Sequence, residues 1–578
     1  VQQEMIDAGK AFLYYEPNGL VISRSGDECV VTFSDQWYLT YGEKDWQPII
    51  RDYIHNKLET YNPKTKQALE NSCDWLSSWA CSRQFGLGTR LPWDPQFLIE
   101  SLSDSTIYMA YYTIAHLLQG DLFGEKVGPL GIKAELLTPE VFDYIYCNGV
   151  YPEGCGIEQE KLDKLKHEFE YWYPYDLRVS GKDLIKNHLM MSLYNHQAIW
   201  PDMSKMPRSY FCNGHIQLNN EKMSKSTGNF LTVDDAIKQF GADATRFACA
   251  DAGDGLDDAN FAIATANAAI LSLTTEEEFI RSVVSGELAT SEHPEAEYHF
   301  FDKNFQNEMS DCVLRCDQAY KEMRFRDALQ IGFYEMQGIR NAYRDACAKM
   351  GVAMEKPLLL RFTELEVLML APIVPHFADN VWRTLLHRTN SIWKGTWPAV
   401  QATDAVLSRS YDFFNKNERN LRETVNKKPK KVPANWHRPN KVFIYCAREY
   451  HPWQQFALRI LQENYDAATK TLPANIIALV KEKVGASEEY KKQMKDILAF
   501  VSFTVKTDFP QMGEDAFALE MPFDEKQVME SCATFIKKDC QLDDVQVFHA
   551  EDESVPDPMN RKKEAKPGKP AYCAYYEE

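Results

Sequence analysis

The sequence predicts an α/β protein in three parts: a parallel α/β region, an α-helical bundle and a small α+β region. In residues 41–255, strand-like runs alternate with helical patterns, which is typical of a parallel sheet covered by helices. Residues 256–410 show almost only helical periodicity, so we expect a bundle there. Strands mixed with helices return in residues 446–578 and predict a separate small domain.

Two strands and two helices define the parallel α/β region. The runs YDLRVSG and YFCNGHIQL are predicted strands, and each is followed by a helix or by a turn that leads into a helix. In the helix predicted over TVDDAIKQFG, Thr232 can cap the start, Asp235 lies three residues further on and Gly241 can end the helix. The run DLIKNHLMMSLYNHQAIW predicts the other helix, with one side formed by Leu184, His188, Ser192 and Asn195.

Residues 1–40 have the pattern of the end of a domain. Strand-like runs occupy 20–22 and 29–31, and a turn at Gly26 separates them. A short amphipathic helix before them is predicted from the apolar residues Met5, Ile6, Ala8 and Phe12.

The bundle and the segment after it complete the domain prediction. The clearest bundle segment is LRFTELEVLMLAPIVPHFADNVWRTLL, where Pro372 and Pro375 interrupt the apolar stripe, so two helices are expected to meet at a proline corner. The polar, basic and proline-containing segment after the bundle predicts a linker. The expected domain-level stretches are therefore 1–40, 41–255, 256–410, 411–445 and 446–578.

The charge balance argues against a general nucleic-acid coat. The 578 residues carry a formal net charge of −20, whereas phosphate binding needs local positive charge. One local patch exists, because the run from Asn426 to Lys441 contains five lysines, one arginine and no acidic residue. A contact with an RNA backbone and a solvated basic linker are equally good interpretations of this patch. No run of eighteen apolar residues occurs, so no membrane span is predicted.

The 14 cysteines indicate a reducing environment. No Cys-x-x-Cys pair occurs, so a structural zinc is not expected. Cys312 and Cys316 are four residues apart on one predicted helix face, where two buried core thiols are the favoured interpretation. Scattered unpaired cysteines in a large chain are typical of a reducing compartment, so a cytoplasmic location is expected.

The run EKMSKSTGNF has the properties of a loop that binds a polyphosphate. Lys222 and Lys225 supply cations three residues apart, and the small residues around them keep the loop slim. The helix capped by Thr232 points its N-terminus back toward the loop, and helix N-termini favour anions. This is not a P-loop, and the run SGKD at Ser180–Asp183 does not match that pattern either. A solvated turn is the alternative interpretation.

The string Lys-Met-Ser-Lys-Ser resembles the second signature of the class I aminoacyl-tRNA synthetases. Four longer runs are similar to the cytosolic leucyl-tRNA synthetases of the eukaryotic and archaeal type: DECVVTFSDQWYLTYG, LPWDPQFLIESLSDSTIYMAYYTIAHLLQG, EKMSKSTGNFLTVDDAI and ADAGDGLDDANF. WACSRQFGLGTRLPWD resembles the point where these enzymes return to the catalytic fold after a large insertion, and PYDLRVSGKDLIKNHL resembles the segment that holds the adenylate. LAPIVPHFADNVW resembles an anticodon-domain helix. The similarity is most specific in residues 25–262.

The resemblance implies both a fold and an activity. The fold is the C-terminal part of a Rossmann-like catalytic domain, preceded by the tail of an inserted editing domain and followed by an anticodon-binding-type bundle and a C-terminal tRNA-binding domain. The activity is ATP-dependent activation of leucine to leucyl-adenylate and transfer of the leucyl group to tRNA(Leu), with Mg²⁺ arriving on ATP. Other synthetases of a multi-synthetase complex are further implied partners.

The same resemblance implies a set of ATP-binding residues. Lys222 and Lys225 would stabilise the departing pyrophosphate, and Lys225 is the stronger candidate. Gly181 would allow close backbone approach, Asp183 would accept hydrogen bonds from the ribose hydroxyls, and the strand over 212–218 would present backbone groups to the adenine. The complete set is Lys222, Met223, Ser224, Lys225, Ser226, Gly181 and Asp183.

Two further residues have two interpretations each. His188 would help to line the leucine pocket, or it would be a helix histidine that is satisfied by a structural partner. Arg83 would hold a carboxylate, a phosphate or the end of the tRNA, or it would form a structural ion pair.

The sequence departs from the family at the first signature. A His-Ile-Gly-His type motif is absent, and NGHI at Asn213–Ile216 stands in the wrong place and order. The chain is therefore expected to be the C-terminal portion of a larger enzyme and to activate no leucine measurably on its own. The alternatives are a non-catalytic tRNA-binding or assembly module, or a synthetase for isoleucine, valine or methionine.

Overall fold

The fold was analysed in a computed structural model, in which the chain divides into two compact units. The described residues are 1–23, 26–224, 227–428 and 436–577. The first unit consists of Val1–Gln217 and Asp254–Asn260, and the second of Leu218–Gly253 and Phe261–Glu578. Across the described ranges, no helix is both long and apolar enough to cross a membrane.

The first unit contains a parallel strand pair, as the sequence predicted. Arg178–Gly181 and Tyr210–Asn213 pair in parallel, so Gly181 and Asn213 lie side by side where the strands end. Its other strands pair antiparallel, and they are Tyr38–Leu39 with Trp79–Ala80, and Asp94–Ile99 with Ser82–Arg83 and Arg90–Leu91. Its longer helices are Gln47–Asn56, Pro63–Trp75, Pro139–Tyr146, Gln159–Trp172 and Met190–Ile199. Shorter helical turns are Ser101–Asp104, Ser105–Ile107, Tyr108–Tyr112, Ala115–Leu118 and Ala134–Leu136.

The helix predicted after the first parallel strand is divided into three. A 3₁₀ turn over Lys182–Leu184 and a π-helical turn over Ile185–Leu189 precede the α-helix Met190–Ile199. Ser192 and Asn195 share a face as predicted, because the Ser192 hydroxyl donates to the Thr106 carbonyl at 3.1 Å and the Asn195 amide donates to the Thr106 hydroxyl at 2.7 Å. These three helical pieces form part of the connection between the two parallel strands. Parallel strands need a long crossover of this kind, whereas antiparallel strands can be joined by a short turn.

The first 40 residues form less structure than the sequence predicted. The helix covers Gln2–Asp7 only and buries no residue, and Phe12 lies outside it with 82% of its surface exposed. The two predicted strands are represented by one isolated bridge between Ile22 and Glu28. Amphipathic patterns form stable elements when a partner surface covers their apolar side, and here those side chains face solvent.

The second unit is dominated by helices. Lys356–Leu370 ends at the predicted proline corner, and Pro375–Asn380 begins directly after it. Cys312 and Cys316 are buried in the core, as predicted. The other helices in this part are Val233–Phe240, Ala242–Ala252, Ile263–Ser285, Phe300–Lys321, Phe325–Leu329 and Met336–Met350. Further short elements are the helical turns Glu295–Glu297, Gln330–Glu335, Val381–Leu385 and Ile392–Lys394, and the paired strands Thr290–Ser291 and Met354–Glu355.

The prediction of a linker over 411–445 is wrong for its first sixteen residues, because the helix Ala405–Asn426 includes them. Its polar composition hides an apolar stripe, because Phe413, Leu421 and Val425 are buried on one side. The non-helical connection is therefore shorter than predicted, and its residues 429–435 lie outside the described part.

The C-terminal region has the predicted α+β composition. The central strand Lys441–Cys446 pairs in parallel with Asp544–His549 and antiparallel with Ala571–Tyr575. Val442 and Ile444 on the central strand join the same buried core as the helical bundle. The helices are Pro452–Glu463, Ile476–Ala486, Met494–Phe503, Phe509–Met512, Glu525–Ser531 and Ala533–Asp539, with helical turns at Lys491–Gln493, Thr504–Asp508, Gly513–Phe517 and Lys562–Glu564.

Candidate functional site

The loop that begins at Lys222 is anchored in the second unit by its backbone. Lys222 ends the strand Glu221–Lys222 with its side chain exposed, whereas Met223 packs against the core. The Ser224 N–H donates to the Asn229 carbonyl at 2.9 Å, and the Asn229 amide donates to the Lys222 carbonyl at 3.3 Å. The loop ends are thus fixed and the cation at position 222 faces solvent, as binding of an external anion requires.

The helix after the loop begins and ends as predicted. The Thr232 hydroxyl accepts a hydrogen bond from the Asp235 N–H at 3.0 Å and caps the helix Val233–Phe240. Gly241 ends the helix with a φ of 81°, a conformation that favours glycine. Two residues of the Lys-Met-Ser-Lys-Ser string lie outside the described residues, namely Lys225 and Ser226.

In the first unit, the turn after the first parallel strand presents an exposed carboxylate. Gly181 ends the strand and Asp183 follows in the 3₁₀ turn. A Cβ at Gly181 would lie 2.6 Å from Asp183 Oδ1, so the exposed carboxylate would have to shift if any other residue stood at position 181. The Asp183 side chain is 61% exposed, which leaves its oxygens accessible to hydroxyl donors.

A histidine that the sequence analysis left without a role lies beside this carboxylate. His215 Nε2 is 3.6 Å from Asp183 Oδ1, and its Nδ1 is 3.7 Å from Asp258 Oδ1. Lys182 Nζ lies 2.7 Å from the same Asp258 oxygen, and this hydrogen bond from Lys182 is the main cause of a lowered pKa at Asp258. Sequence reasoning missed the group because His215 and Asp258 are 43 residues apart. The one signal for Asp258 was its place in the run ADAGDGLDDANF.

The strand expected over 212–218 is interrupted at this histidine. The structure has two strands, Tyr210–Asn213 and Ile216–Leu218, with Gly214 and His215 between them. The Gly214 N–H donates to the Gly255 carbonyl at 2.9 Å, and a Cβ at Gly214 would lie 2.2 Å from the Asp257 carbonyl oxygen. The backbone around Asp257 thus lies too close to position 214 for any residue except glycine.

His188 has one nitrogen satisfied and one without a partner among the described residues. It is buried in the π-helical turn, and its Nε2 lies 3.1 Å from the Ser105 carbonyl oxygen. Burial lowers the pKa of His188, so the ring is neutral near pH 7 and Nε2, which faces an acceptor, carries the proton. Nδ1 is then a buried acceptor with no hydrogen bond within the described ranges. The geometry thus contains the structural partner, and the other ring nitrogen is enclosed by protein.

The contacts of Arg83 favour the structural interpretation. Its guanidinium donates to the carbonyls of Ala80 and Ser82 at 3.0 and 2.7 Å. It also lies 3.7 Å from the buried carboxylate of Glu100. Three protein acceptors therefore lie at the guanidinium, although the side chain is 45% exposed.

The basic segment is only partly available to a ligand. Arg438 donates to the carbonyls of Cys540 and Gln541 at 2.6 and 3.1 Å, where the helix Ala533–Asp539 ends. Lys441 pairs with Glu577. Lys427 and Lys428 are exposed, and Lys430 and Lys431 lie outside the described part of the chain.

Within the described part of the chain, two side-chain groupings have the composition of metal sites. They are His299 with Asp302 and Cys347, and Glu418 with Asp539 and Cys540. Asp302 already accepts a hydrogen bond from the Tyr343 hydroxyl at 2.6 Å, and Asp539 is 2.7 Å from the Lys349 ammonium. A metal ion would have to displace these contacts, so we assign no ion to either grouping.

Three family models match the chain. Residues 156–272 match "tRNA synthetases class I (M)", residues 302–435 match "Anticodon-binding domain of tRNA ligase", and residues 446–522 match "Leucine--tRNA ligase, RagD-binding domain".

Curated relatives cover nearly the whole chain. The cytoplasmic leucine–tRNA ligase of Pongo abelii is 42% identical over 99% of this chain and 48% of its own length. That of Arabidopsis thaliana is 40% identical over 96% of this chain and 51% of its own length. The chain therefore spans about half the length of the relatives it matches.

Proposed function

The chain belongs to the cytosolic leucyl-tRNA synthetases of class I, and on that premise we propose that it contributes to ATP-dependent activation of leucine and its transfer to tRNA(Leu) in the cytoplasm. The observation that carries the proposal is the intact Lys-Met-Ser-Lys-Ser loop, with Lys222 exposed and a capped helix directly after it. Positive charge next to a helix N-terminus stabilises the negative charge that develops on departing pyrophosphate.

We assign the remaining described residues roles that agree with their contacts, and we assign Lys225 and Ser226 the roles that the resemblance implies. Lys222 and Lys225, with Ser224 and Ser226, act on the phosphates, and Met223 contributes to this part of the ATP site by anchoring the loop in the core. Gly181 and Asp183 act on the ribose, where the exposed carboxylate accepts hydroxyl hydrogen bonds.

As the resemblance implies, His188 belongs to the lining of the leucine pocket. Its Nδ1 has no hydrogen-bond partner among the described residues and is enclosed here, so the pocket would have to open for this nitrogen to accept from the leucine ammonium group. Arg83 is a structural residue in this proposal, because protein acceptors already surround it. ATP brings Mg²⁺ as part of the substrate, and no structural zinc belongs to the proposal.

Amino-acid-dependent ATP–pyrophosphate exchange tests the proposal. The chain is assayed alone and together with the upstream half of the Pongo abelii relative as a separate polypeptide, with leucine, isoleucine, valine and methionine. Exchange with leucine only, in the combined sample, is the expected result. Exchange with another of the four amino acids would contradict the substrate assignment. No exchange from two associated halves would favour a non-catalytic tRNA-binding or assembly module.

The exposed lysines at the start of the basic segment are expected to contact tRNA. Replacing Lys427 and Lys428 by alanine should weaken tRNA(Leu) binding and reduce the slope of log K against log salt by about 1 to 2, since each lost phosphate contact removes about one released counterion. Filter binding at several salt concentrations measures this. The matched control is alanine at the exposed pair Lys491 and Lys492, and an equal effect of both pairs would refute a local contact.

A second proposal concerns residues 446–522, because that segment matches a RagD-binding domain. We propose that it binds a RagD-type protein through its surface, while its helices form their own core around Leu458, Val480 and Val501. Phe503 is 53% exposed, so Phe503→Ser should weaken RagD capture in biolayer interferometry without unfolding the core. If Phe503→Ser bound RagD as well as the unaltered protein does, the contact with RagD would not involve Phe503. Other synthetases are proposed as partners on the resemblance alone.

A further inference from the structure

His215 is placed to hold the Asp183 carboxylate in one orientation. Asp183 is exposed and follows a glycine, so its own turn restricts its side chain little. His215 offers one ring nitrogen to this carboxylate at 3.6 Å and the other to Asp258 at 3.7 Å. Both distances are within ion-pair range and longer than hydrogen bonds, so the two carboxylates orient the imidazole through charge.

Asp258 is itself fixed at two points. Its Oδ1 accepts the backbone N–H of His215 at 2.9 Å and lies 2.7 Å from the Lys182 ammonium. Lys182 also donates to the Leu256 carbonyl at 3.3 Å. Because Lys182 lowers the pKa of Asp258, this carboxylate stays ionised at neutral pH and continues to face His215.

The backbone beneath these side chains is closely packed. The Ala259 N–H donates to the His215 carbonyl at 3.0 Å, and the Gly214 N–H donates to the Gly255 carbonyl at 2.9 Å. Main-chain bonds therefore tie the segment of His215 to that of Asp258, and the parallel pairing of Gly181 with Asn213 places the segment of Lys182 and Asp183 beside them. Lys182, Asp183, His215 and Asp258 form a connected group of charges rather than one isolated surface ion pair.

We propose that His215 is a positioning residue for the nucleotide: it holds the Asp183 carboxylate toward the ribose hydroxyls, and Asp258 with Lys182 holds His215. This inference rests on the proposed function, because it requires a ribose at Asp183. It adds three residues, Lys182, His215 and Asp258, to the group that determines nucleotide affinity.

Isothermal titration calorimetry with ATP, 2′-deoxy-ATP and 3′-deoxy-ATP tests the inference, using the chain alone and with the upstream half of the Pongo abelii relative. His215→Ala is expected to weaken ATP binding about tenfold, because the charged acceptor loses its fixed orientation. His215→Gln, whose amide can still donate to Asp183, should recover most of the affinity. One of the two deoxy analogues lacks the hydroxyl that Asp183 binds. The unaltered protein and His215→Ala should have equal affinity for that analogue.

A double-mutant cycle separates positioning from a general structural effect. If His215 acts through Asp183, adding His215→Ala to Asp183→Asn should weaken ATP binding no further. Equal losses for ATP and both deoxy analogues, or additive losses in the cycle, would overturn the inference and leave the proposed function intact. No ATP binding by the unaltered protein in either sample would overturn the proposed function and this inference with it.

Discussion

Replacing Lys225 by alanine is expected to lower leucine-dependent ATP–pyrophosphate exchange about 100- to 1,000-fold when the chain is combined with the upstream half of a relative. The physical reason is that an ammonium placed where charge develops stabilises the transition state more than the bound substrate. The loss should therefore appear in kcat, with little change in KM for leucine. Lys222→Ala should lower exchange less, because Lys225 is the stronger candidate for the pyrophosphate contact.

The matched control is Lys238→Ala in the helix after the loop. This lysine is 71% exposed and pairs with Asp234 four residues earlier. Its replacement removes one positive charge, as Lys225→Ala does, but at a position without an assigned role. Exchange within about twofold of the unaltered protein is expected for the control, since a surface ion pair of this kind contributes little to stability. Equal losses for Lys225→Ala and Lys238→Ala would indicate an effect of net charge and would refute the assignment.

Local signals were sufficient for the elements around the phosphate loop. The cap at Thr232 and the glycine at 241 act on the nearest turn of backbone, so the sequence predicted both helix ends correctly. The proline corner after Leu370 was predictable for the same reason. The π-helical turn Ile185–Leu189 was not, because its apolar spacing is the same as that of an ordinary helix and its extra residue is set by packing.

The remaining features depend on contacts between residues far apart in the chain, and the sequence could not predict these contacts. Nothing in the run NGHI indicates that His215 faces Asp183 and Asp258, because these positions meet only after the strands have paired. The sequence analysis assigned part of the helix Ala405–Asn426 to a linker. Most residues of this helix are polar, so the mean composition of the segment hides the few apolar positions that are buried. The resemblance predicts roles for Gly181 and Asp183 and gives no account of which residues support them.

The second large effect concerns a buried charge group in the helical bundle. Arg340 forms an ion pair with Glu276, and its guanidinium lies 4.1 Å from the ring centre of Phe279. Gln337 donates to the other Glu276 oxygen at 2.8 Å. Glu366 is fully buried nearby, and burial, followed by the adjacent Glu276 charge, raises its pKa well above the usual range, which favours the neutral form of this carboxyl. Arg340 is therefore the cation that compensates Glu276.

Arg340→Met is accordingly expected to lower the free energy of unfolding by about 3–5 kcal/mol, because it leaves a buried carboxylate without its cation. Urea unfolding followed by circular dichroism measures the loss as a lower midpoint. Adding Glu276→Gln should restore at least half of it, since the amide removes the uncompensated charge and still accepts from Gln337. Arg383→Met, at a side chain that is 57% exposed, is the control and should change stability by no more than about 0.5 kcal/mol. If Glu276→Gln gave no recovery, the loss would come from packing of the arginine against its aromatic neighbours and the charge argument would be wrong.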